Sequence, residues 1–320
     1  MVVYHTLIAV AALMLAACNN TQEKLRQRAA ELCQYIPDHV LLESSKDYMT
    51  NDFYAVLDTM FNLPEHEAMD HEWLHYFVTG NGGTIADFEV VKVELNDPTH
   101  ATATVNVRQK WEDGSFAEDS DVEEHALEME KVDGVWLMSD FDGHKADCIR
   151  HIDINRREQA RRDAISDYLV SEVAPHYLQG ELCIPSLMIV STEEPSEASG
   201  QEADSASSRV WCDCWVFWYN VAGDTLKTVS GGNHSGLMTL RKADGRPVVA
   251  SFEQTTDGAG FTASAKQIFG PHYEMFQSMH ANEDVREDVR QEQLRQYIRR
   301  HGLKIRYLQD YGWDAVDLLP

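Results

Sequence analysis

Apolar positions in the first quarter of the chain recur at helical spacing, and those that follow recur at every second residue. Residues 22–36 have helical composition, and residues 45–61 carry Tyr48, Phe53, Val56, Leu57, Met60 and Phe61 near a helical period. Pro64 suits a helix start, and Met69, Trp73 and Phe77 form a one-face stripe that Gly80-Asn81-Gly82-Gly83 breaks. Three helices are therefore predicted first. Residues 85–95, 101–111, 122–131 and 135–141 then alternate or carry β-branched side chains, and Asn96-Asp97-Pro98, Glu112-Asp113-Gly114 and Val132-Asp133-Gly134 separate them. Asp133-Gly134 is a tight-hairpin pair, since glycine tolerates positive φ. The pattern predicts four antiparallel strands.

A polar, basic helix from Asn155 through Arg156, Arg157, Arg161 and Arg162 to Tyr168 and Val173 opens the second half. Strand patterns follow at residues 182–192, 210–221, 226–229, 236–241 and 248–254. Residues 193–208 hold Glu193, Glu194, Glu197, Glu202 and Asp204 and no basic residue, which reads as a mobile acidic hairpin tip. Residues 263–279, interrupted by Gly270-Pro271, and residues 283–300 read as helices. The last carries Asn282 as cap, Glu283 and Asp284 in its first turn, Arg299, Arg300 and His301 at its end and Gly302 beyond. The expected class is α+β, with two helix-plus-antiparallel-sheet domains at residues 19–154 and 155–320. No internal sequence repeat supports a duplication.

Residues 1–18 change the picture. Residues 7–17, LIAVAALMLAA, form an apolar run of secretory length, too short for a bilayer span of roughly 20 residues. Leu15-Ala16-Ala17-Cys18 resembles the lipobox read by lipoprotein signal peptidase, which implies cleavage before Cys18 and acylation of its sulfur. The stretch before it, MVVYHT, contains no Lys or Arg. Asn19 and Asn20 do not resemble an inner-membrane retention signal. The expectation is a cell-envelope lipoprotein, lipid-anchored in the outer membrane and facing the periplasm. The formal charge of −26 repels phosphate backbones and anionic headgroups, so no nucleic-acid partner is expected and the lipid does the anchoring.

Three helices and a meander ending in EHALEMEKVDGVWLMSDFDG, residues 124–143, resemble the nuclear transport factor 2-like, or cystatin-like, superfamily over residues 23–154. The resemblance implies a curved sheet that wraps a helix and leaves a conical pocket. It implies no activity, because the pocket acid–base pairs of the superfamily's enzymes have no residue-by-residue match. The stretch from Ser230-Gly231-Gly232-Asn233-His234-Ser235-Gly236 to Tyr311-Gly312-Trp313-Asp314 is similar to a segment of uncharacterised exported bacterial proteins.

Four groups of residues are candidates for chemistry. His71-Glu72-Trp73-Leu74-His75 fits H-E-x-x-H, a zinc-protease pattern, but His71 and His75 lie opposite the Met69-Trp73-Phe77 stripe, so a solvent-facing pair is preferred and no metal is expected. Alternation in residues 210–219 puts Trp211, Asp213, Trp215, Phe217 and Tyr219 on one face and Cys212, Cys214, Val216 and Trp218 on the other. This central strand belongs to the core, or else its aromatic row lines a pocket in which Asp213 orients a ligand or acts as a base. Residues 231–236 read as a glycine-dependent turn whose His234 could touch a ligand. Cys33 with Cys148, and Cys183 with Cys214 or Cys212, are candidate disulfides, against the alternative that they are small buried side chains. With no phosphate loop and no dinucleotide fingerprint, no cofactor is expected.

These readings favour a non-catalytic envelope protein that binds a small molecule, a glycan or a partner protein. A pocket hydrolase or isomerase in the second domain, using Asp213 or His234, and a structural subunit of a lipoprotein complex are the alternatives.

Overall fold

The computed structural model describes residues 21–36, 41–63, 84–110, 115, 122–195 and 207–318. Cys18, the third expected helix with His71 and His75, and most of the acidic hairpin tip lie outside the described residues. The chain is α+β and divides into two compact units between Asn155 and Arg156. Among the described residues no helix is long and apolar enough to cross a membrane.

In the first unit, helix α1 (21–33) buries Leu25, Ala29, Leu32 and Cys33, a stripe at i, i+4, i+7 and i+8. The single helix expected over 45–61 is two. Helix α2 (Leu42–Ser45) and a 3₁₀ turn (Lys46–Tyr48) stop at Met49, and α3 (Asn51–Phe61) begins anew. Met49 bridges Met138, and the Thr50 amide donates to the Met138 carbonyl at 2.8 Å. Burial of both methionines against the sheet pulls the backbone extended and overrides local helical preference. Strands β1 (Thr84–Leu95), β2 (His100–Lys110), β3 (Glu123–Val132) and β4 (Val135–Phe141) form an antiparallel meander in that order. Its core face carries Ala101, Ala103, Val105, Val107, Leu127, Met129, Met138 and Phe141. Asp133 and Gly134 take φ of 50° and 86°, the mirror-image turn that their pairing predicts.

Helix α4 (His144–Tyr168) starts eleven residues before the expected Asn155. Cys148 and Ile152 on its early turns join the first core, and Ile165 near its end joins a core of the second unit. A π turn (Leu169–Val173) and a 3₁₀ turn (Ala174–His176) continue it.

The second unit holds β5 (Leu182–Cys183), β6 (Ser186–Glu193), β7 (Ser207–Ala222), β8 (Thr225–Ala243), β9 (Arg246–Gln254), β10 (Tyr307–Gln309) and β11 (Val316–Asp317). The sheet runs β11-β10-β8-β7-β5, with β6 also on β7 and β9 also on β8. Because β10 lies parallel to β8, the sheet is mixed and not purely antiparallel as expected. Strands of two or three residues carry no readable alternation, which is why β10 and β11 escaped the pattern and why β5 and β6 read as one strand over 182–192. Helices α5 (Phe261–Phe269), α6 (Tyr273–Ala281) and α7 (Glu283–Arg300) follow β9. The last has the expected bounds, and Asn282 accepts from the Val285 amide at 3.3 Å. Cys212, Cys214 and Val216 of β7 pack with Ile165, Leu169 and Val173, while Trp211 packs with Phe269 and Phe276, and Tyr219 with Leu294 and Ile298. Both faces of β7 are covered.

The expected disulfides are absent: Cys33, Cys148, Cys183, Cys212 and Cys214 are all free thiols. They act as small apolar side chains in two separate cores, and burial pushes the Cys33 and Cys148 thiols up to about 12 and Cys183 to about 11. Two consequences follow for the native chain. A thiol-specific chromophore should label these five slowly until denaturant is added, and a reductant should leave the melting temperature unchanged. A reductant-dependent fall in melting temperature would restore the bridges.

Candidate functional site

Strand alternation and register build a buried polar cluster in the second unit. Asp213 on β7 lies opposite Ser235 on β8, and Trp215 lies opposite Asn233, so Asn233 and Ser235 share the face of Asp213. Asp213 is completely buried. Its Oδ1 accepts from Asn233 Nδ2 at 2.6 Å and from Ser235 Oγ at 2.7 Å. Its Oδ2 accepts from Nδ1 of His280, in the last turn of α6, at 2.9 Å. A buried carboxylate with three donors escapes most of the penalty of an unpaired one. The His280 side chain is 27% exposed, and Nε2 has no hydrogen-bond partner among the described residues.

Trp211, Phe217 and Tyr219 of the aromatic row pack against α5 to α7 as core residues, the first of the two readings of this strand. Trp211 is buried and donates from Nε1 to the Ile268 carbonyl at 2.8 Å. Trp215 stacks on Phe217 with 5.9 Å between centroids, and the Arg286 guanidinium lies 5.7 Å from its ring. Tyr219 accepts from Arg290 Nε at 3.1 Å. Asp213 itself is a covered tie between β7, β8 and α6, out of reach of any ligand in an aromatic pocket.

His234 faces the other way. Gln254 Oε1 can only accept, so the 2.8 Å contact puts the proton on His234 Nδ1, and Nε2 accepts from the Tyr177 hydroxyl, also at 2.8 Å. Both ring nitrogens are thereby engaged. The expected turn at residues 231–236 is the middle of one 19-residue strand, β8. None of its glycines has positive φ. A Cβ on Gly231 would stand 2.5 Å from the Val216 carbonyl oxygen, on Gly232 2.0 Å from the Tyr177 hydroxyl and on Gly236 2.1 Å from the Glu253 carbonyl oxygen. The glycines permit close approach of neighbours, not a reversal of the chain.

A second histidine–carboxylate pair stands in the first unit, where His125 Nδ1 lies 2.5 Å from Asp142 Oδ2. Burial alone would raise the Asp142 carboxyl, but hydrogen bonds from His125 and from the Ala126 amide bring it below its ordinary range. A cleft of about 700 Å³ also lies in this unit, between Arg26 and Gln27 of α1, Asp87 and Glu89 of β1, and Asn106 and Arg108 of β2. Its walls are charged in both senses.

Sequence reasoning missed His280, Asn233, Ser235 and Arg286. Asn233 and Ser235 would have emerged had residues 225–243 been read as one strand, because alternation then aligns them with Asp213. For His280, 67 residues along the chain from Asp213, no local signal exists. No protein-family model matches the chain, and no curated protein matches it.

Proposed function

We propose that the chain is an exported lipoprotein, held by acylated Cys18 in the cell envelope on the periplasmic side of the outer membrane, whose first unit binds a small polar molecule without converting it. The observation that supports binding is the cleft of about 700 Å³, within the size range of small-molecule sites. Arg26 and Arg108 bring positive charge to its wall, and Glu23, Asp87 and Glu89 bring negative charge. Such a mixed wall suits a ligand that carries both an acceptor and a donor, a zwitterion being the simplest. A polyanion is disfavoured by the net charge of −26. The resemblance of residues 23–154 to the nuclear transport factor 2-like superfamily agrees with a cleft between helix and sheet, and the lipobox agrees with the envelope.

Native mass spectrometry of the detergent-extracted full-length chain tests the reading. A small molecule should co-purify with the wild type and be lost from the Arg26→Glu, Arg108→Glu double variant. Fed palmitate should label the wild type and not Cys18→Ala. Recovery of an unlabelled chain from the cytosol, or of a ligand that both forms retain equally, removes the corresponding half of the proposal.

A further inference from the structure

The second unit offers a different chemistry, independent of the first unit's cleft. In the neutral imidazole of His280, Asp213 Oδ2 accepts the proton of Nδ1 and the lone pair stands on Nε2. The rings of Phe261 and Phe276, at 5.2 Å and 5.1 Å, fix the imidazole plane. Beside it, Arg286 donates from one guanidinium nitrogen to the His280 carbonyl, and its side chain has no other hydrogen-bond partner among the described residues. The same guanidinium lies over Trp215, whose buried Nε1–H has no acceptor among the described residues. The imidazole held by Asp213 and a guanidinium that touches both the His280 carbonyl and the Trp215 ring thus stand together at the C-terminal end of α6. A buried donor without a partner is uncommon enough in a folded protein to need a reason.

We propose that this corner is an acid–base site that hydrolyses a small carboxylic ester, with His280 as the general base and Arg286 stabilising the charge that develops on the carbonyl oxygen. In the first step Nε2 takes a proton from water while the water oxygen bonds to the carbonyl carbon, whose π electrons move to oxygen beside Arg286. In the second the carbonyl re-forms, the bond to the leaving alkoxide breaks, and Nε2 returns the proton to that oxygen. Acid and alcohol leave, and the imidazole is neutral again. Ser235 is not the nucleophile, since its hydroxyl bonds to Asp213 and not to Nε2. Asp213 is a positioning residue. The arrangement shares the orienting logic of a carboxylate behind a catalytic histidine, with water in place of serine.

The full-length chain is assayed with p-nitrophenyl acetate. General-base catalysis contributes about 10²–10⁴-fold, so His280→Ala should lower kcat/KM at least about 100-fold and added imidazole should restore part of it. His234→Ala should leave the rate unchanged. Arg286→Met should lower kcat with little change in KM, and Asp213→Asn should lower kcat and alter the pH profile, which a merely structural tie would not do. Should His280→Ala fail to fold, diethyl pyrocarbonate on the wild type gives the same answer: carbethoxylation of the peptide containing His280 should keep pace with loss of activity. A wild type no faster than buffer, a His280→Ala protein as fast as wild type, or full activity after His280 is modified overturns the proposal.

Discussion

Replacing Arg290 with alanine should destabilise the second unit by about 3 kcal/mol or more, the scale for breaking a buried ion pair from one side. The guanidinium is 8% exposed and forks onto Asp310, with NH1 to Oδ2 at 2.7 Å and NH2 to Oδ1 at 2.8 Å. It also reaches Tyr219 at 3.1 Å and Thr228 at 3.0 Å, and lies 4.1 Å over the Phe217 ring. Asp310 directly follows the short strand β10, so this one side chain ties α7, β7, β8 and the C-terminal strands together. Asp310 is 29% exposed, and water can partly replace the lost charge, which sets the expectation at the low end of the usual 3–5 kcal/mol. Urea unfolding of the full chain, followed by tryptophan fluorescence, measures the loss. Arg299→Ala, on an exposed side chain of the same helix, should stay within about 0.5 kcal/mol of wild type.

The same cluster gives a pH signature. Burial alone would raise the Asp310 carboxyl, but hydrogen bonds from Arg290 and Thr228 and the Arg290 charge outweigh it and depress the folded-state value. A depressed carboxylate contributes stability that is fully present above its unfolded value of about 3.9 and is lost as pH falls through the folded one. Arg290→Ala should therefore lose more stability at neutral pH than in acid. An equal loss at both would show that packing over Phe217, and not charge, is what the arginine supplies.

Much of the fold was legible because local and tertiary preferences agree. The four strands of the first unit alternate and bury one face, and helix α7 carries its own cap and terminal charges. Where they disagree, tertiary contact prevails: Met49 leaves a helix-compatible stretch to reach Met138, and the parallel β10 is too short to announce itself. The site was half legible. Period-two alternation grouped Asp213 with Trp211, Trp215 and Tyr219, but alternation is silent about what covers a face. Here it is helices whose arginines and His280 supply the polar partners. The cysteines illustrate the same limit, since spacing cannot distinguish a bridge from five small side chains filling two cores.

Glycine was the residue most easily misread, and it supplies the sharpest test of the corrected strand. Gly236→Ala should cost about 3 kcal/mol or more, at or above the usual range for overpacking, because its closest contact is backbone that cannot swing aside. The added Cβ would lie 2.1 Å from the Glu253 carbonyl oxygen and 3.0 Å from Gln254 Cα, both backbone atoms of β9, so relief requires β8 and β9 to part. Gly232→Ala meets the Tyr177 ring instead, with its hydroxyl at 2.0 Å, and a side chain can swing away at the expense of its bond to His234. A loss of about 1–2 kcal/mol is expected there. Gly245→Ala meets nothing within 4 Å but sits at φ +75°, and should cost about 1 kcal/mol of backbone strain. Chemical denaturation of the three variants ranks them, and the order follows from what each methyl group strikes. Were Gly236→Ala no worse than Gly245→Ala, residues 231–236 would have the freedom of a loop, and the alignment of Asn233 and Ser235 with Asp213 would lose its foundation.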